Sequence, residues 1–506
     1  MNIKKSFLTT LTMMWALMMM VSISSCRVNN DFPVDPTPDP SQLSDYTIIY
    51  YGHGGGNLDA GLYYNLRQFY QGKVESYEHV SIVSQYKFST AENLVKTKFF
   101  TEEYWDYHFG SRTVRMIIDP TKTVGEQLFN DDNFYGDDNA NVACPDSLTN
   151  FINWAAKVCP AKNYILILSD HGSGYTPDYD LPEQKQTRGI MFDDAHDGVH
   201  FSVSSLHRAL ANANVHLQTI YLDACMMNTI EYQFELKDLA DYYILSTFYV
   251  PGYGGRYDIL VDELGEHPND IETALSDFSR ETTNFWDDNT HKFDYHDMSV
   301  IRTSELDAFG RKFRTFTDKL VSAYQSGDEE LKQKIDACTA SAFRIQNSSP
   351  SYDIVDYYTR IYLFAPGVID KPFFNELEDA FNRTVICKHT SKFLESNGYV
   401  VDCSIMLCNQ GTYRRYDYED DGNGGWKLNY FFIYEPDGKW GLYWYESKRL
   451  QDYGSWGGTL DSTYGQLAFD RATGWSRWLW LNEQEPNHIA LADFYVDIPG
   501  ELGKEQ

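Results

Sequence analysis

Basic residues are scarce in this chain. Among its 506 residues, 42 Lys and Arg stand against 73 Asp and Glu, a formal net charge of -31. A nucleic-acid surface needs a basic face, so that class of partner is excluded. Cationic substrates are not excluded, because an acidic surface attracts them. Long apolar runs are also missing, with one exception at the extreme N-terminus, and the mean hydropathy is -0.47. No Cys or His spacing suits zinc, and no segment repeats. Aromatic residues, by contrast, are abundant at 16%, too many for a disordered chain. The length supplies core material for one large α/β domain or for two or three smaller ones.

The N-terminal exception reads as an address. Met1 to Lys5 carry two positive charges, and Ser6 to Ser25 are apolar and small, the n- and h-regions of a secretory signal. The run ends Ile23-Ser24-Ser25-Cys26, which resembles a bacterial lipobox. That resemblance implies a signal over 1–25, removal of that segment and lipidation of Cys26, with the membrane engaged through that anchor. Arg27 follows, so nothing resembles an inner-membrane retention signal. The expected location is extracytoplasmic and lipid-anchored, at the outer membrane or cell surface. Pro33, Pro36, Pro38 and Pro40 stiffen residues 26–45 into a tether.

The folded body begins near Tyr46. Short β-rich runs at 47–51, 80–86 and 113–118 alternate with helix-like segments at 58–70 and 89–95. Leu148, Phe151, Ile152, Trp154 and Ala155 share one helical face over 147–158. Tyr164-Ile165-Leu166-Ile167-Leu168 is a continuous apolar run, as are 219–222 and 243–245. Such runs suit strands buried on both faces, so residues 46–400 read as an α/β sandwich around a mainly parallel sheet. Residues 272–285 and 303–340 read as helices. From 401 to 506 Tyr, Trp, Gly and Asp dominate, which predicts an antiparallel, β-rich C-terminal module.

Open α/β sheets collect their chemistry at the carboxyl ends of strands. One predicted strand runs into Ser169-Asp170-His171-Gly172, another into Asp223-Ala224-Cys225. An imidazole at one strand tip could take the proton of a thiol at the next. Iodoacetamide reactivity well below the ordinary thiol range is the expected sign of such a cysteine. A glycine after the histidine would let a substrate carbonyl come close to its N–H, as an oxyanion hole requires. Taken alone, a cysteine after a strand is more often a packing residue. Two internal controls sharpen the choice. Asp336-Ala337-Cys338 repeats the tripeptide behind a charged helical pattern, so Cys338 reads as structural. His53-Gly54 repeats the pair at the first strand, making His53 the less favoured base.

A buried strand ending in His171-Gly172, followed about fifty residues later by one ending in Asp223-Ala224-Cys225, resembles the clostripain-like cysteine peptidases, relatives of caspases, gingipains and legumain. Residues 148–154, 464–469 and 473–475 support the resemblance. It implies a caspase-like three-layer sandwich and a dyad, with His171 as base and acid, Cys225 as nucleophile and the N–H groups of Gly172 and Cys225 as oxyanion donors. It also implies a pocket for Arg or Lys at P1, with Asp223 as its acid, and self-cleavage after Lys185 or Arg188. The sequence departs from the family pattern after the next strand. Val250 stands for an acid and Gly255 for a Trp, Arg256 would oppose a cationic substrate, and Asp258 is the remaining candidate acid.

Asp417, Glu419, Asp421 and Gly422 imitate the start of a calcium loop, but Leu428 occupies the position that needs Glu. The resemblance leaves calcium open without ligands to name; the chemistry itself needs no cofactor and no metal. Cys144, Cys159, Cys338, Cys387, Cys403 and Cys408 could form up to three disulfides outside the cytoplasm. The expected function is a lipid-anchored cysteine endopeptidase acting on peptides or proteins. The alternative is an inactive surface lipoprotein whose C-terminal aromatics bind glycan or peptide.

Overall fold

The computed structural model of the chain describes residues 43–89, 112–135, 140–175, 189–196, 198–289, 295–343, 345, 351–397, 401–407 and 464–483, and four short strands between 418 and 443. The expected signal, the expected tether up to residue 42, Cys26, most of the expected helix at 89–95, Lys185, Arg188, Cys408 and most of the imitated calcium loop lie outside the described residues, while Ser44 and Asp45, expected in the tether, open the first strand.

In chain order the strands that matter here are β1 (Ser44–His53), β2 (Val80–Lys87), β3 (Thr113–Ile117), β4 (Ala161–Ser169), β5 (Ile190–Asp193), β6 (Val199–Phe201), β7 (Leu217–Asp223), β8 (Ala240–Leu245), β9 (Asp297–Arg302), β10 (Ser351–Asp353), β11 (Val385–Thr390) and β12 (Ser404–Met406). Eight of them form one sheet in the order β11-β9-β8-β7-β4-β1-β2-β3. The inner five, β2, β1, β4, β7 and β8, are parallel. The edges are antiparallel: β3 on one side, β9 and then β11 on the other.

The apolar runs behave as strands buried on both faces should. Ile165 and Ile167 of β4 enter one core, while Leu166 and Leu168 enter the other. Tyr221 of β7 faces the first core, and Ile220 and Leu222 face the second. Helices Asp59–Gln68, Tyr257–Glu266 and Ile271–Asn289 cover one face. Helices Pro145–Val158, Val203–Ala211, Ile230–Leu236 and Leu306–Tyr324 cover the other. The result is the expected three-layer sandwich. Pro145 opens its helix at the first turn, where a missing N–H costs nothing.

Some details differ from the expectation. The helical stretch over 303–340 holds two helices, Leu306–Tyr324 and Glu329–Ser341, with Gly327 between them at φ +81. β9 and β11 had no sequence signal. β11 is half-buried along its whole length, so its residues carry no apolar alternation. The aromatic C-terminal stretch does contain two antiparallel strand pairs, 418–420 with 426–428 and 431–434 with 440–443. Its other described parts are packed into the main core rather than set apart. β12 pairs with β10, and Ser404 bridges to Thr229 beside the β7 tip. The helices Ala468–Thr473 and Ser476–Glu483 rest on Leu306–Tyr324.

Three disulfides do not form. Cys159, Cys338, Cys387 and Cys403 are free thiols, and Cys144 is disulfide-bonded. Cys338 packs as an apolar residue, as read from its helical context, and burial pushes its thiol up to about 12. Cys159 is likewise pushed up by burial, to about 11.

Trp475 ties the C-terminal helices to the fold. Its ring lies 5.1 Å from Phe313 and 6.0 Å from Tyr357, and its Nε1 donates to Met406 O at 2.9 Å. Trp475→Ala leaves a cavity and an unmet carbonyl in a dry core. It is expected to cost about 3–5 kcal/mol, read as an earlier urea midpoint for the whole domain rather than as a separate early transition.

Candidate active site

Two neighbouring parallel strands set the geometry. In the β4–β7 ladder Ser169 pairs with Asp223. His171 and Cys225 therefore each leave the sheet two residues beyond the same rung, at the carboxyl edge. The turns that carry them touch: a Cβ on Gly172 would lie 2.6 Å from Cys225 O and 2.7 Å from Ala224 Cβ. Only glycine lets these backbones meet. Met226, directly after the cysteine, has φ +59, a conformation rare outside glycine, and this sharp turn lifts Cys225 off its strand.

Cys225 is partly exposed and held by the backbone after β8. Val250 N donates to its Sγ at 3.4 Å, and Sγ lies 3.7 Å from Val250 O. Burial pushes the thiol up, the Val250 N–H draws it back, and the charge of Asp223 pushes it up again. The His171 imidazole is pushed the other way, first by burial and then by the positive charge of His53. Both shifts act in the same sense, against the thiolate of Cys225 and against the imidazolium of His171. Burial thus acts against the easily ionised thiol expected from the sequence, and the Val250 N–H acts for it.

The strand after the 176–188 interval returns to the same turn. Ser173 N donates to Gly189 O at 3.1 Å and Met191 N to His171 O at 3.3 Å. These two bonds make the Gly172–Ile190 bridge without using the Gly172 N–H.

His53 cannot serve as the base. Its ring is fully buried, with Nδ1 2.9 Å from Lys87 O and Nε2 3.2 Å from Asp194 Oδ1. Burial works against its charge. The Asp194 hydrogen bond, the Asp170 and Asp193 charges and the Lys87 carbonyl outweigh that and hold it at about 9. Asp170, buried between His53 and His171, is raised by burial to about 8.

Asp223 is buried at the end of β7. Its carboxylate accepts from Tyr221 OH at 2.7 Å, Ser169 Oγ at 3.0 Å, Tyr257 OH and the Gly255 N–H. Burial raises it, and those donors pull it back. Arg256 does not stand free beside it, since its Nε donates to Asp258 Oδ1 at 2.8 Å and its Nη2 to Asp258 Oδ2 at 2.6 Å. Sequence reasoning looked for no third group on the imidazole. The structure supplies one: Asn57 Oδ1 lies 2.6 Å from His171 Nε2. The only signal was the Gly54-Gly55-Gly56-Asn57 turn at a strand end.

Two described groups each gather three side chains able to ligate a metal, His53 with Asp193 and Asp194, and Glu263 with Glu266 and His267. Neither fits calcium. Lys87 Nζ already sits 2.8 Å from both oxygens of Asp193. Glu266 is paired with Lys73, and Glu263 with His267.

The two stated causes acting on His171 give a prediction with a definite sign. Its imidazole is expected to titrate below the ordinary value of about 6.5, followed by its ring-proton signals in NMR. His53→Gln keeps a donor toward Asp194 but removes the charge, so the His171 midpoint should move up. An unchanged midpoint would show that His53 does not act on it.

Comparisons with known proteins come to the same place. The model of the clostripain family, Peptidase_C11, matches residues 104–365, just over half of the chain. No curated protein matches. A secreted C11 cysteine protease from Bacteroides thetaiotaomicron, solved with an irreversible peptide inhibitor, is 18% identical with a TM-score of 0.50, covering 86% of this chain and 100% of that one. An inactive zymogen C11 protease from Parabacteroides distasonis is 16% identical with a TM-score of 0.48, covering 87% and 99%. The former likeness speaks for the fold, and the family match for the chemistry class. The chain belongs to the clostripain family and is a cysteine peptidase.

Proposed function

We propose that the chain is an endopeptidase that works through His171 and Cys225. The observation that supports this is the shared rung of β4 and β7, two residues beyond which His171 and Cys225 each stand on turns that touch. His171 takes the thiol proton as Sγ attacks the peptide carbonyl carbon, and the N–H groups of Gly172 and Cys225 receive the oxyanion. The C–N bond breaks, the imidazolium returns its proton to the leaving amine, and water, deprotonated by His171, clears the acyl-enzyme. Nucleophile, base and oxyanion donors are all protein groups.

For the substrate side we propose a P1 Arg or Lys. Asp223 supplies its charge through a cage of hydroxyls rather than as an open carboxylate, and the opposing cation Arg256 is already engaged by Asp258. Self-cleavage after Lys185 or Arg188 is supported by the polar, basic run 182–188 and by the bond from Ser173 N to Gly189 O, which holds Gly189 beside the turn that carries His171. A lipid anchor at Cys26 is supported by the residues before it and by the secreted B. thetaiotaomicron relative. No described helix is long and apolar enough to cross a membrane.

The test uses fluorogenic Arg, Lys and Asp peptides with the chain from residue 27 onward, beside Cys225→Ala and His171→Ala. Cleavage after Arg or Lys should vanish with the first and fall by about 10²–10⁴ with the second. Asp223→Asn should lose the preference for a basic P1 by about tenfold. Cleavage that survives Cys225→Ala would end the reading, and cleavage after Asp alone would end its P1 part. On gels, Lys185→Ala with Arg188→Ala should leave one band where the unaltered chain gives two.

A further inference from the structure

We propose that Asn57 is a positioning residue for the base: its amide oxygen accepts from His171 Nε2–H and so leaves Nδ1 as the basic nitrogen. The inference rests on the His171–Cys225 reading and adds a member to it. A neutral imidazole carries its proton on either nitrogen, and only one tautomer can take the thiol proton. A hydrogen bond to the far nitrogen decides which one is populated. At 2.6 Å, Asn57 Oδ1 is at the short end of the range for such a bond.

The turn that carries Asn57 is built to put it there. Gly55 has φ +51 and Gly56 φ +89, values that L side chains rarely adopt. A Cβ on Gly55 would lie 2.9 Å from His171 Cδ2 and would strike Asp170, so its absence lets the turn close over the ring. The turn is pinned from outside as well. Gly54 N donates to Lys87 O at 3.1 Å, Gly56 N to Ser89 Oγ at 3.0 Å, and Asn57 N to Gly54 O at 3.1 Å. Buried Asp59 accepts from Ser89 N at 3.2 Å and from Tyr86 OH. The side chain of Asn57 is exposed and packs into no core, so the fold does not depend on its amide.

Asn57 itself does not titrate, so replacing it with a carboxylate gives a readout that a purely structural role would not move. The titratable groups that act on His171 are His53 from β1, through its charge, and Asp170 after β4, whose Oδ1 accepts from His171 N at 2.6 Å. None of them changes in the variants. Asn57→Ala should lower kcat about tenfold with KM within about twofold, the loss expected for one ordinary hydrogen bond. Asn57→Asp keeps the acceptor and adds a charge. It should recover most of kcat and raise the acid limb of kcat/KM by about one pH unit or more. With ¹⁵N-labelled histidine, the ring signals of His171 should show one tautomer in the unaltered chain and a mixture in Asn57→Ala. Melting temperatures should agree throughout.

Wild-type kcat, acid limb and ring signals in both variants would overturn the assignment of Asn57 while leaving the dyad intact. Activity that persists in Cys225→Ala would instead overturn the reading beneath it.

Discussion

The site depends on a register. Parallel strands in one ladder end together, so whatever the chain adds after the last rung arrives side by side. Ser169 opposite Asp223 is that rung. From it the chemistry follows with few further devices: a glycine that removes a Cβ between the two turns, and a left-handed residue after the cysteine that turns Sγ outward. A slip of one residue in this pairing would reverse the facing of every side chain on β7 and bury Leu222 against the wrong helices. The cores on both faces therefore enforce the register, and the active crevice is set by burial well beneath it.

Electrostatics adds a second layer. His53, whose charge reaches the His171 imidazole, belongs to a set of opposite charges, Lys87, His53 and His196 with Asp193 and Asp194, while Asp170 accepts from His171 N. Removing one member of such a set leaves its partner charged and unpaired in a dry place, so its members stand or fall together. Its effect on His171 is to favour the neutral form. A neutral base and an un-ionised thiol cost less to keep buried than an ion pair would. In the proposed mechanism charge would develop only as a carbonyl carbon takes the sulfur's electrons.

Much of this was legible in the sequence. The apolar runs at 164–168 and 219–222 identified strands buried on both faces, and the residues after them do lie at the carboxyl ends of two paired strands. The charged pattern before Cys338 marked that cysteine as structural, and its helix agrees. The rest was hidden for physical reasons. β11 is half-buried at every position and shows no alternation. Asn57 lies 114 residues before the histidine it meets, and only the β1–β4 pairing brings them together. The hydroxyls around Asp223 come from β4, β7 and the helix that starts at Tyr257, which no local pattern could join. The six cysteines set an upper bound of three disulfides that the fold does not reach, because compartment says whether thiols can be oxidised, not whether they face one another.

The bonds around β5 bear on how the 176–188 interval relates to the rest of the body. Upstream, the chain is held by the β4 ladder. Downstream, it is held by Gly189 on Ser173, by Met191 on His171 and by Asp193 locked on Lys87. Neither side relies on the peptide bonds between them. A scission there would change the covalent count without changing the body. The nicked protein would sediment as one particle and melt as one unit, and only a denaturant would reveal two chains.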